Sequence, residues 1–507
     1  MTEVLLGIDI GTSSAKGVLT LPDGTVLATA VRAHRPSMPR PGWVEHDADR
    51  DWWAAVVELS RQLLTGRRER PAGVCVSGIG PCVLAADAAY RPLRPAILYG
   101  VDTRATTQAR ELSDRLGERA VLERGGSLLT SQSAGPKLAW LRRHEPDTWA
   151  ATRRFLMASS LAVARLTGEY VLDHHSASQC QPMYDLAGQR WYEPWCDVVA
   201  PGLALPRLAW PGEVVGSVTP AAAEETGIPT GTPVAAGTID AWAEALSIGV
   251  RKPGETMLMY GTTMFLVQML ATPVTDVRLW ATRGVTPGST SLAGGMATSG
   301  AVTDWWRRIT GEDDFDRLSG EAAATPAGAD GLVMLPYFAG ERTPLFDPDA
   351  RGVILGLTLR HQRGHLYRAA LEATGYAVRH HLDVFAEAGA APGRLVAVGG
   401  GARGGLWTQI VSDVTGQPQE LPEQTIGACY GDARLVGEAV GLVAPDTDWA
   451  RTAEVVTPRV DRAEVYDDLY RIYRDAYPAT RDLTHALAAR QHADSGDRSR
   501  VSGPDPH

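Results

Sequence analysis

The chain has 507 residues, of which 44% are hydrophobic and 21% charged, and a formal net charge of −10. This length exceeds what one hydrophobic core organises, so we expect a globular protein of two domains. The negative charge disfavours nucleic acid as a partner, and no apolar run approaches the roughly 20 residues of a membrane span. No basic region with a cleavable apolar segment precedes the first predicted strand, so we expect a cytoplasmic protein. The five cysteines form no CxxC pair, which is typical of reduced, structural thiols.

The first quarter of the chain alternates apolar segments with polar turns. Strands are predicted over 4–8, 17–21, 25–30 and 73–77, because each is a short apolar run bounded by turn residues. The segment 47–64 has the spacing of a helix, with Asp47 as its N-cap. This order predicts a sheet whose strands end in polar loops.

The turn after the first strand carries the pattern Asp9-x-Gly11-Thr12-Ser13-x-x-Lys16. It is not a Walker A loop, because GxxxxGK[ST] is absent and a strand follows. A glycine at the bend lets the backbone approach a phosphate, and the hydroxyls of Thr12 and Ser13 can bind it. Asp9 could hold Mg²⁺, which binds one or two carboxylates together with phosphate oxygens. The pattern therefore favours a phosphate-binding hairpin over an ordinary Asp-Gly hairpin.

A second turn of this kind has the sequence YGTT and contains Gly261, Thr262 and Thr263. Between the two turns in sequence, Asp240 ends an apolar stretch and precedes a helical run over 241–248. An aspartate at a helix start is most often a cap. Phosphoryl transfer to a hydroxyl, however, benefits from a carboxylate that accepts the proton. Two such turns and a carboxylate suggest a nucleoside triphosphate site.

The segment GGGARG at 399–404 follows a strand predicted over 395–398 and precedes a helix predicted over 406–414. It fits GxGxxG, and Glu420 lies roughly 20 residues further on, as a dinucleotide-binding fold requires. An NAD-dependent oxidoreductase is therefore an alternative. Such a fold normally opens a domain, however, and too few residues remain here. A glycine turn at a helix start can equally receive adenosine and its phosphates, which is the interpretation we prefer.

The second half of the chain repeats the order strand, Gly-Thr turn, strand, and a long helix is predicted over 364–388. Two α/β lobes of similar fold with a ligand cleft between them are therefore expected. A Gly- and Pro-containing break places the domain boundary after residue 248, giving domains over 1–248 and 249–489. The residues 490–507 contain almost no apolar side chains and are expected to form a disordered tail.

These segments, in this order, resemble the FGGY family of carbohydrate kinases within the actin/hexokinase-like ATPases, and most closely its xylulokinase-like members. The matching segments are GIDIGTSSAKGVL (7–19), PGWVEHDADRDWW (41–53), RPLRPAILYGVDTR (91–104), AGTIDAWAEALSIG (236–249), YGTT (260–263) and GERTPLFDPDARGVILGL (340–357), followed by HL (365–366) and AALE (369–372). The resemblance runs from Leu5 to about Leu442, nearly the whole chain.

The resemblance implies two ribonuclease-H-like domains that bind ATP, magnesium and a small-molecule sugar or polyol. The expected reaction transfers the γ-phosphoryl group of ATP to a hydroxyl of a ketopentose such as xylulose, or of a related polyol. Asp240 would be the general base, and Asp9 would organise magnesium. The residues implied to bind ATP are Gly11, Thr12, Ser13, Lys16, Gly261, Thr262, Thr263, Gly400, Gly401 and Ala402, with Trp407 and Asp413 near the adenosine. Asp102 and Arg104 would contact sugar hydroxyls, and a homodimer is compatible with the sequence.

The chain departs from the family pattern on the sugar side. D-xylulokinases usually carry a Met-His-Gly triplet in the loop after the 73–77 strand, and here the matching residues are Gly80, Pro81 and Cys82. Proline has no N–H to donate, and loss of one polar pairing can change specificity by orders of magnitude. We therefore expect a sugar kinase, and the sequence does not decide which sugar or polyol accepts the phosphoryl group. A catalytically silent sugar sensor is a further alternative, which the retained Asp9 and Asp240 disfavour.

Overall fold

The computed structural model describes residues 2–501, with side chains as far as 491. The strands are β1 (Glu3–Ile10), β2 (Ser14–Thr20), β3 (Val26–Ala33), β4 (Glu45–His46), β5 (Arg70–Gly78), β6 (Leu84–Ala86), β7 (Ala96–Ile97), β8 (Arg154–Leu156), β9 (Val171–Asp173), β10 (Tyr184–Asp185), β11 (Arg190–Trp191), β12 (Arg207–Ala209), β13 (Val214–Ser217), β14 (Pro233–Ala235), β15 (Thr256–Tyr260), β16 (Met264–Leu270), β17 (Trp280–Arg283), β18 (Thr290–Met296), β19 (Val333–Leu335), β20 (Val353–Leu355), β21 (Leu395–Val398), β22 (Gln419–Pro422) and β23 (Thr452–Val456).

The α-helices are α1 (Ala54–Leu64), α2 (Thr106–Leu116), α3 (Glu118–Gly125), α4 (Ala134–His144), α5 (Pro146–Ala151), α6 (Ala158–Thr167), α7 (His174–Ser178), α8 (Glu193–Val199), α9 (Pro220–Thr226), α10 (Asp240–Ser247), α11 (Gly300–Thr310), α12 (Phe315–Ala323), α13 (Arg363–Glu387), α14 (Leu406–Thr415), α15 (Ala428–Ala439) and α16 (Ala463–Val501). A π-helical segment, Ala48–Trp53, precedes α1, and short 3₁₀ segments cover Gly400–Gly404 and Val460–Arg462. Among residues 2–501, no helix combines the length and apolar character that crossing a bilayer requires.

The chain divides into two compact units. The first runs as far as Pro253 and also includes Met269–Leu292 and Gln424–Arg451. The second contains Gly254–Gln268, Ala293–Glu423 and the chain from Thr452 onward.

The first unit is built on a six-stranded sheet with the order β13–β14–β5–β1–β2–β3. Strand β1 is buried throughout except at Glu3, pairs antiparallel with β2 and parallel with β5, and places Asp9 opposite Lys16. The helical segment that follows β4 begins at Asp47, whose side chain accepts hydrogen bonds from the N–H groups of Asp49 and Arg50. The N-cap predicted at Asp47 is therefore confirmed.

Helix α15 packs directly on this sheet and on α10 because a glycine lies at each contact. A Cβ atom at Gly7 of β1 would lie 1.9 Å from the carbonyl oxygen of Cys429, and one at Gly431 would lie 2.0 Å from that of Ala243 in α10. These separations are far below van der Waals contact, so only glycine permits the approach. The consequence is that α10, α15 and the centre of the sheet meet closely within one unit.

The second unit repeats the strand order at the start of the first. Within its sheet, β16, β15, β21, β22 and β23 are neighbours in that order. Strand β15 pairs antiparallel with β16 and parallel with β21, as β1 does with β2 and β5. The predicted repeat of strand, Gly-Thr turn and strand is therefore present in both units. The long helix predicted over 364–388 is α13.

The two compact units do not coincide with the predicted domain limits. The division falls after Pro253 rather than after residue 248, and the segment Gln424–Arg451, expected in the C-terminal domain, belongs to the first unit. The reason is that α15 packs on β1 and β5, a contact between segments far apart in sequence that no local pattern indicates.

Residues 490–507 are predicted to form a disordered tail, but the part of this tail that the structure describes is helical. Helix α16 continues to Val501, and residues 502–507 lie outside the described residues. Extending an existing helix requires no new nucleation, so a polar sequence can continue one.

Candidate active site

The first Gly-Thr turn is the hairpin that joins β1 and β2. The N–H of Gly11 donates to the carbonyl of Ser14 at 3.0 Å, which closes the turn. A Cβ at Gly11 would lie 2.8 Å from that same oxygen, so the tight bend requires glycine. Thr12 is partly exposed and Ser13 exposed, and the Thr12 Oγ1 lies 3.0 Å from the hydroxyl oxygen of Tyr99. Thr12 and Ser13, which are predicted to bind phosphate, are therefore accessible to solvent.

The predicted carboxylates of Asp9 and Asp240 lie close enough to interact near the end of β1. Asp9 is almost completely buried, while Asp240 begins α10 and is partly exposed. Burial raises the pKa of Asp9 well above its usual value, and Asp240, Asp432 and Glu244 raise it further, whereas Lys16 lowers it. Burial also raises the pKa of Asp240 to about 6, against the N–H of Ala241, which donates to it at 2.8 Å. Of the two aspartates predicted as metal ligand and base, Asp240 thus acts electrostatically on Asp9.

Two further carboxylates in this cluster were missed by the sequence analysis. Glu244 lies one helical turn after Asp240, and burial raises its pKa to about 7. Its i, i+4 spacing from Asp240 could have revealed it. Asp432 on α15 accepts hydrogen bonds from the Ser77 Oγ at 2.6 Å and from its backbone N–H at 3.2 Å. Burial raises the pKa of Asp432 to about 8. No local signal links Asp432 to this site, because it is 355 residues from Ser77.

The predicted sugar loop lies beside the residue that precedes Asp240. A Cβ at Gly80 would be 2.6 Å from the side chain of Ile239, the residue before Asp240. Cys82, by contrast, is completely buried, its thiol donates to the carbonyl of Ile79 at 3.5 Å, and burial raises its pKa to about 12. Cys82 therefore belongs to the hydrophobic core, and Gly80 is the residue of this loop that packs against Ile239.

Asp102 and Arg104 form a buried ion pair. The Arg104 Nε and Nη2 donate to the Asp102 carboxylate at distances of 2.7 to 3.0 Å, and both side chains are fully enclosed. The Arg104 Nη1 also donates to Glu45 at 2.8 Å, and its guanidinium lies 4.0 Å from the ring centroid of Trp43. The hydrogen-bonding groups predicted to contact sugar are thus used within the protein.

In the second unit, a pocket of about 420 Å³ collects four residues that the sequence predicted. These are Gly261 and Thr262, which follow β15, and Gly400 and Gly401, which follow β21. The remaining residues that line it are Tyr260, Gly300, Thr303, Phe315, Asp316, Ser319, Tyr367, Leu371, Gly404, Leu406 and Trp407.

Helix α11 was not foreseen at this pocket. The N–H of Gly300 donates to the carbonyl of Gly261 at 2.9 Å, and that of Ala301 donates to Thr262 at 3.0 Å. Thr263 and Ala402, two of the predicted residues, do not line the pocket, and Ala402 is buried. The pocket is thus lined by the glycine turns after β15 and β21, by the start of α11 and by apolar side chains.

The glycines after β21 allow that turn to pack on β15. Gly399 has a φ of 96°, and a Cβ there would lie 2.4 Å from the carbonyl of Tyr260. A Cβ at Gly401 would lie 2.6 Å from the ring of Trp407, whose Nε1 donates to Thr374 at 2.7 Å. Asp413, predicted near the adenosine, is paired with Arg459: the Arg459 Nε and Nη2 both donate to the Asp413 Oδ2, and the backbone N–H of Arg459 donates to Oδ1.

The sequence matches two family models that together cover most of the chain. Residues 4–247 match the N-terminal domain of the FGGY family of carbohydrate kinases, and residues 256–439 match its C-terminal domain. The chain belongs to the FGGY family. It is a carbohydrate kinase of the actin/hexokinase-like α/β fold.

Named relatives of this FGGY kinase include several xylulose kinases. Xylulose kinase from Escherichia coli K12 is 32% identical over 449 residues, which cover 85% of this chain and 89% of the relative. The gluconokinase of Bacillus subtilis is 28% identical over 492 residues, covering 93% and 95%. A crystal structure of xylulose kinase from Rhodospirillum rubrum superposes with a TM-score of 0.88 at 36% identity, covering 95% of this chain and all of that one.

These comparisons support an ATP-dependent sugar kinase. Family members use ATP with a divalent metal. The alternative of an NAD-dependent oxidoreductase finds no support, and the glycine cluster that suggested it lines the same pocket as Gly261 and Thr262.

Proposed function

We propose that the protein transfers the γ-phosphoryl group of ATP to a hydroxyl of a ketopentose such as xylulose, or of a related polyol, with Asp240 as general base. The observation that carries this proposal is the position of Asp240 at the start of α10, where it is partly exposed and close enough to the buried Asp9 to raise the pKa of that carboxyl. A carboxylate with a pKa of about 6 is ionised at neutral pH and basic enough to accept a proton.

The residues around Asp9 fit a magnesium ion. The Oδ1 of Asp9 is a buried oxygen without a hydrogen-bond partner among the described residues. The repulsion from Asp240, Asp432 and Glu244 that raises the pKa of Asp9 would be offset by a divalent cation. Magnesium, when bound, neutralises charge on the phosphate oxygens.

Residues of the chain would bind the phosphates, hold the nucleotide and accept the proton of the acceptor hydroxyl. The backbone and hydroxyls of Thr12 and Ser13, with Lys16 nearby, would orient the phosphates. In the second unit, the pocket formed by Gly261, Gly401 and the other lining residues would hold the nucleotide. Asp240 would take the proton of the acceptor hydroxyl as its oxygen bonds to phosphorus. The xylulose kinases among the relatives support a ketopentose, while the gluconokinase and the altered loop at Gly80 and Pro81 leave related acceptors to be tested.

The test is a kinase assay on Asp240→Asn across ketopentoses, ketohexoses, glycerol and tetritols. Loss of a general base lowers kcat by about 10²–10⁴-fold, and we expect ATP binding to be retained. Asp173→Asn is a matched control, because Asp173 is also buried with a pKa raised to about 6, and it should keep turnover within about 10-fold. Near-normal turnover of Asp240→Asn would contradict the base assignment, and a wild-type protein that phosphorylates none of these acceptors would contradict the proposed substrate class.

A further inference from the structure

Two buried histidines hold the carbonyl groups of the first Gly-Thr turn. The Nε2 of His34 lies 2.8 Å from the Gly11 carbonyl oxygen, and the Nε2 of His46 lies 3.1 Å from that of Thr12. The two imidazole rings meet edge to face with centroids 5.0 Å apart. His46 is completely buried and His34 is 9% exposed. Neither histidine belongs to a role assigned above.

The hydrogen bonds fix which nitrogen carries the proton. The Nε1–H of Trp52 donates to the Nδ1 of His46 at 2.9 Å, so that Nδ1 is an acceptor and Nε2 carries the hydrogen. Burial lowers the pKa of His46 to about 4, so the ring is neutral at physiological pH. A carbonyl oxygen can only accept, so the Nε2 of His34 is also a donor. Both rings therefore donate to the turn.

These contacts determine where the N–H groups of the turn point. In a trans peptide the C=O and the following N–H point in opposite directions. Because the Gly11 carbonyl is turned toward His34, the N–H of Thr12 points away from it, and the N–H of Ser13 likewise points away from His46. The backbone N–H of His34 also donates to the Ser13 carbonyl at 3.0 Å. The carbonyls of all three turn residues are thus bound on the histidine side.

We propose that His34 and His46 are positioning residues that aim the N–H groups of Thr12 and Ser13 at the phosphates of the nucleotide. A carbonyl that rotated into the site would repel a phosphate, and the two imidazole donors hold both carbonyls away from it. The inference rests on the phosphate-binding role of this turn in the proposed function.

The experiment compares pairs of variants that differ in one donor. In glutamine the side-chain amide reaches the position of the histidine Nε2, whereas asparagine stops at the position of Nδ1 and leucine donates nothing. The variants are His46→Gln with His46→Leu, and His34→Gln with His34→Asn. His381→Leu is the control, because His381 is buried and hydrogen-bonded to Thr343 and Ala377, away from the turn. Affinity is measured by calorimetry for the β,γ-imido analogue of ATP with MgCl₂, and by ligand-observed NMR for adenosine.

We expect His46→Leu and His34→Asn to weaken binding of the ATP analogue by roughly 3- to 10-fold, as loss of one hydrogen bond would. Adenosine binding should be unchanged, and the glutamine variants should recover most of the loss. His381→Leu should lower the Tm without changing either affinity. Equal weakening of adenosine and analogue, no weakening, or failure of both donor-deleted variants to fold would overturn the proposal. These affinity measurements need no acceptor sugar, so they test the role of the histidines even if the wild-type protein phosphorylates none of the acceptors. Absence of phosphorylation would count against the proposed function alone.

Discussion

Arg104 and Asp102 form a bidentate ion pair in which both side chains are completely enclosed. The second carboxylate oxygen of Asp102 also accepts the backbone N–H of Val44 at 2.7 Å, and Arg104 reaches Glu45. Each charge is therefore satisfied by protein groups. The pair fixes the segments around Val44 and Asp102 to each other, and direct contact of these side chains with sugar hydroxyls stays a prediction.

Arg104→Met should lower the free energy of unfolding by about 3–5 kcal/mol, because it leaves the buried Asp102 carboxylate without its partner. Chemical denaturation measures this loss. Arg143→Met is the control, since Arg143 pairs with Glu111 at a site where both side chains are more than half exposed, and it should cost less than about 1 kcal/mol. Equal costs for the two variants would show that the buried pair has no special role in stability.

Phosphoryl transfer should depend on pH through Asp240. Its pKa is raised to about 6, and the carboxylate must be ionised to accept a proton, so kcat should fall as the pH falls through about 6. The measurement is kcat between pH 5 and 8 with saturating ATP and acceptor. Glu244→Gln should retain this acidic limb, although Glu244 also titrates, with a pKa of about 7. A kcat that stays constant down to pH 5 would exclude Asp240 as the base.

Asp432 should make the protein less stable as the pH rises. Its pKa is about 8 in the folded protein, against an ordinary value of 3.8, so between these pH values the folded state holds a proton that the unfolded state releases. The free energy of unfolding therefore falls with rising pH. Relative to Asp432→Asn, the wild-type protein should lose about 1 kcal/mol or more between pH 5 and 8.

The matched control for Asp432 is Asp23→Asn. Asp23 is exposed and its pKa is lowered by hydrogen bonds from Thr25, so it is ionised throughout this range in both states. Its substitution should leave the change in Tm between pH 5 and 8 as in the wild type. If Asp432→Asn has the same pH dependence of Tm as the wild type, the buried carboxyl is not the titrating group.

The parts of the site that the sequence predicted are those set by local geometry. The turns at Gly11 and Gly261 follow apolar strands, the bend at Gly11 needs glycine, and Asp240 stands where a strand pattern changes to a helix. Asp432 could not be predicted, because it reaches Ser77 only through packing of α15 across the sheet. His46 could not be predicted for the same reason, since it lies in a segment that pairs with a strand remote from it in sequence.

Gly401→Ala tests the packing of the nucleotide pocket. A Cβ at Gly401 would lie 2.6 Å from the Trp407 ring, which is held by its hydrogen bond to Thr374. Such overpacking costs about 1–3 kcal/mol, so the Tm should fall. Displacement of the Trp407 ring, which lines the pocket, should also weaken binding of the ATP analogue.

Gly400→Ala separates the two effects. A Cβ at Gly400 meets no protein atom within 4 Å, yet Gly400 lines the same pocket. The Tm of this variant should therefore match that of the wild type, while the added methyl group competes with the nucleotide for space and lowers its affinity. If Gly400→Ala binds the analogue as the wild type does, the ligand does not approach this turn. If Gly401→Ala has the wild-type Tm, the Trp407 ring moves aside without strain, and the overpacking expected at Gly401 is wrong.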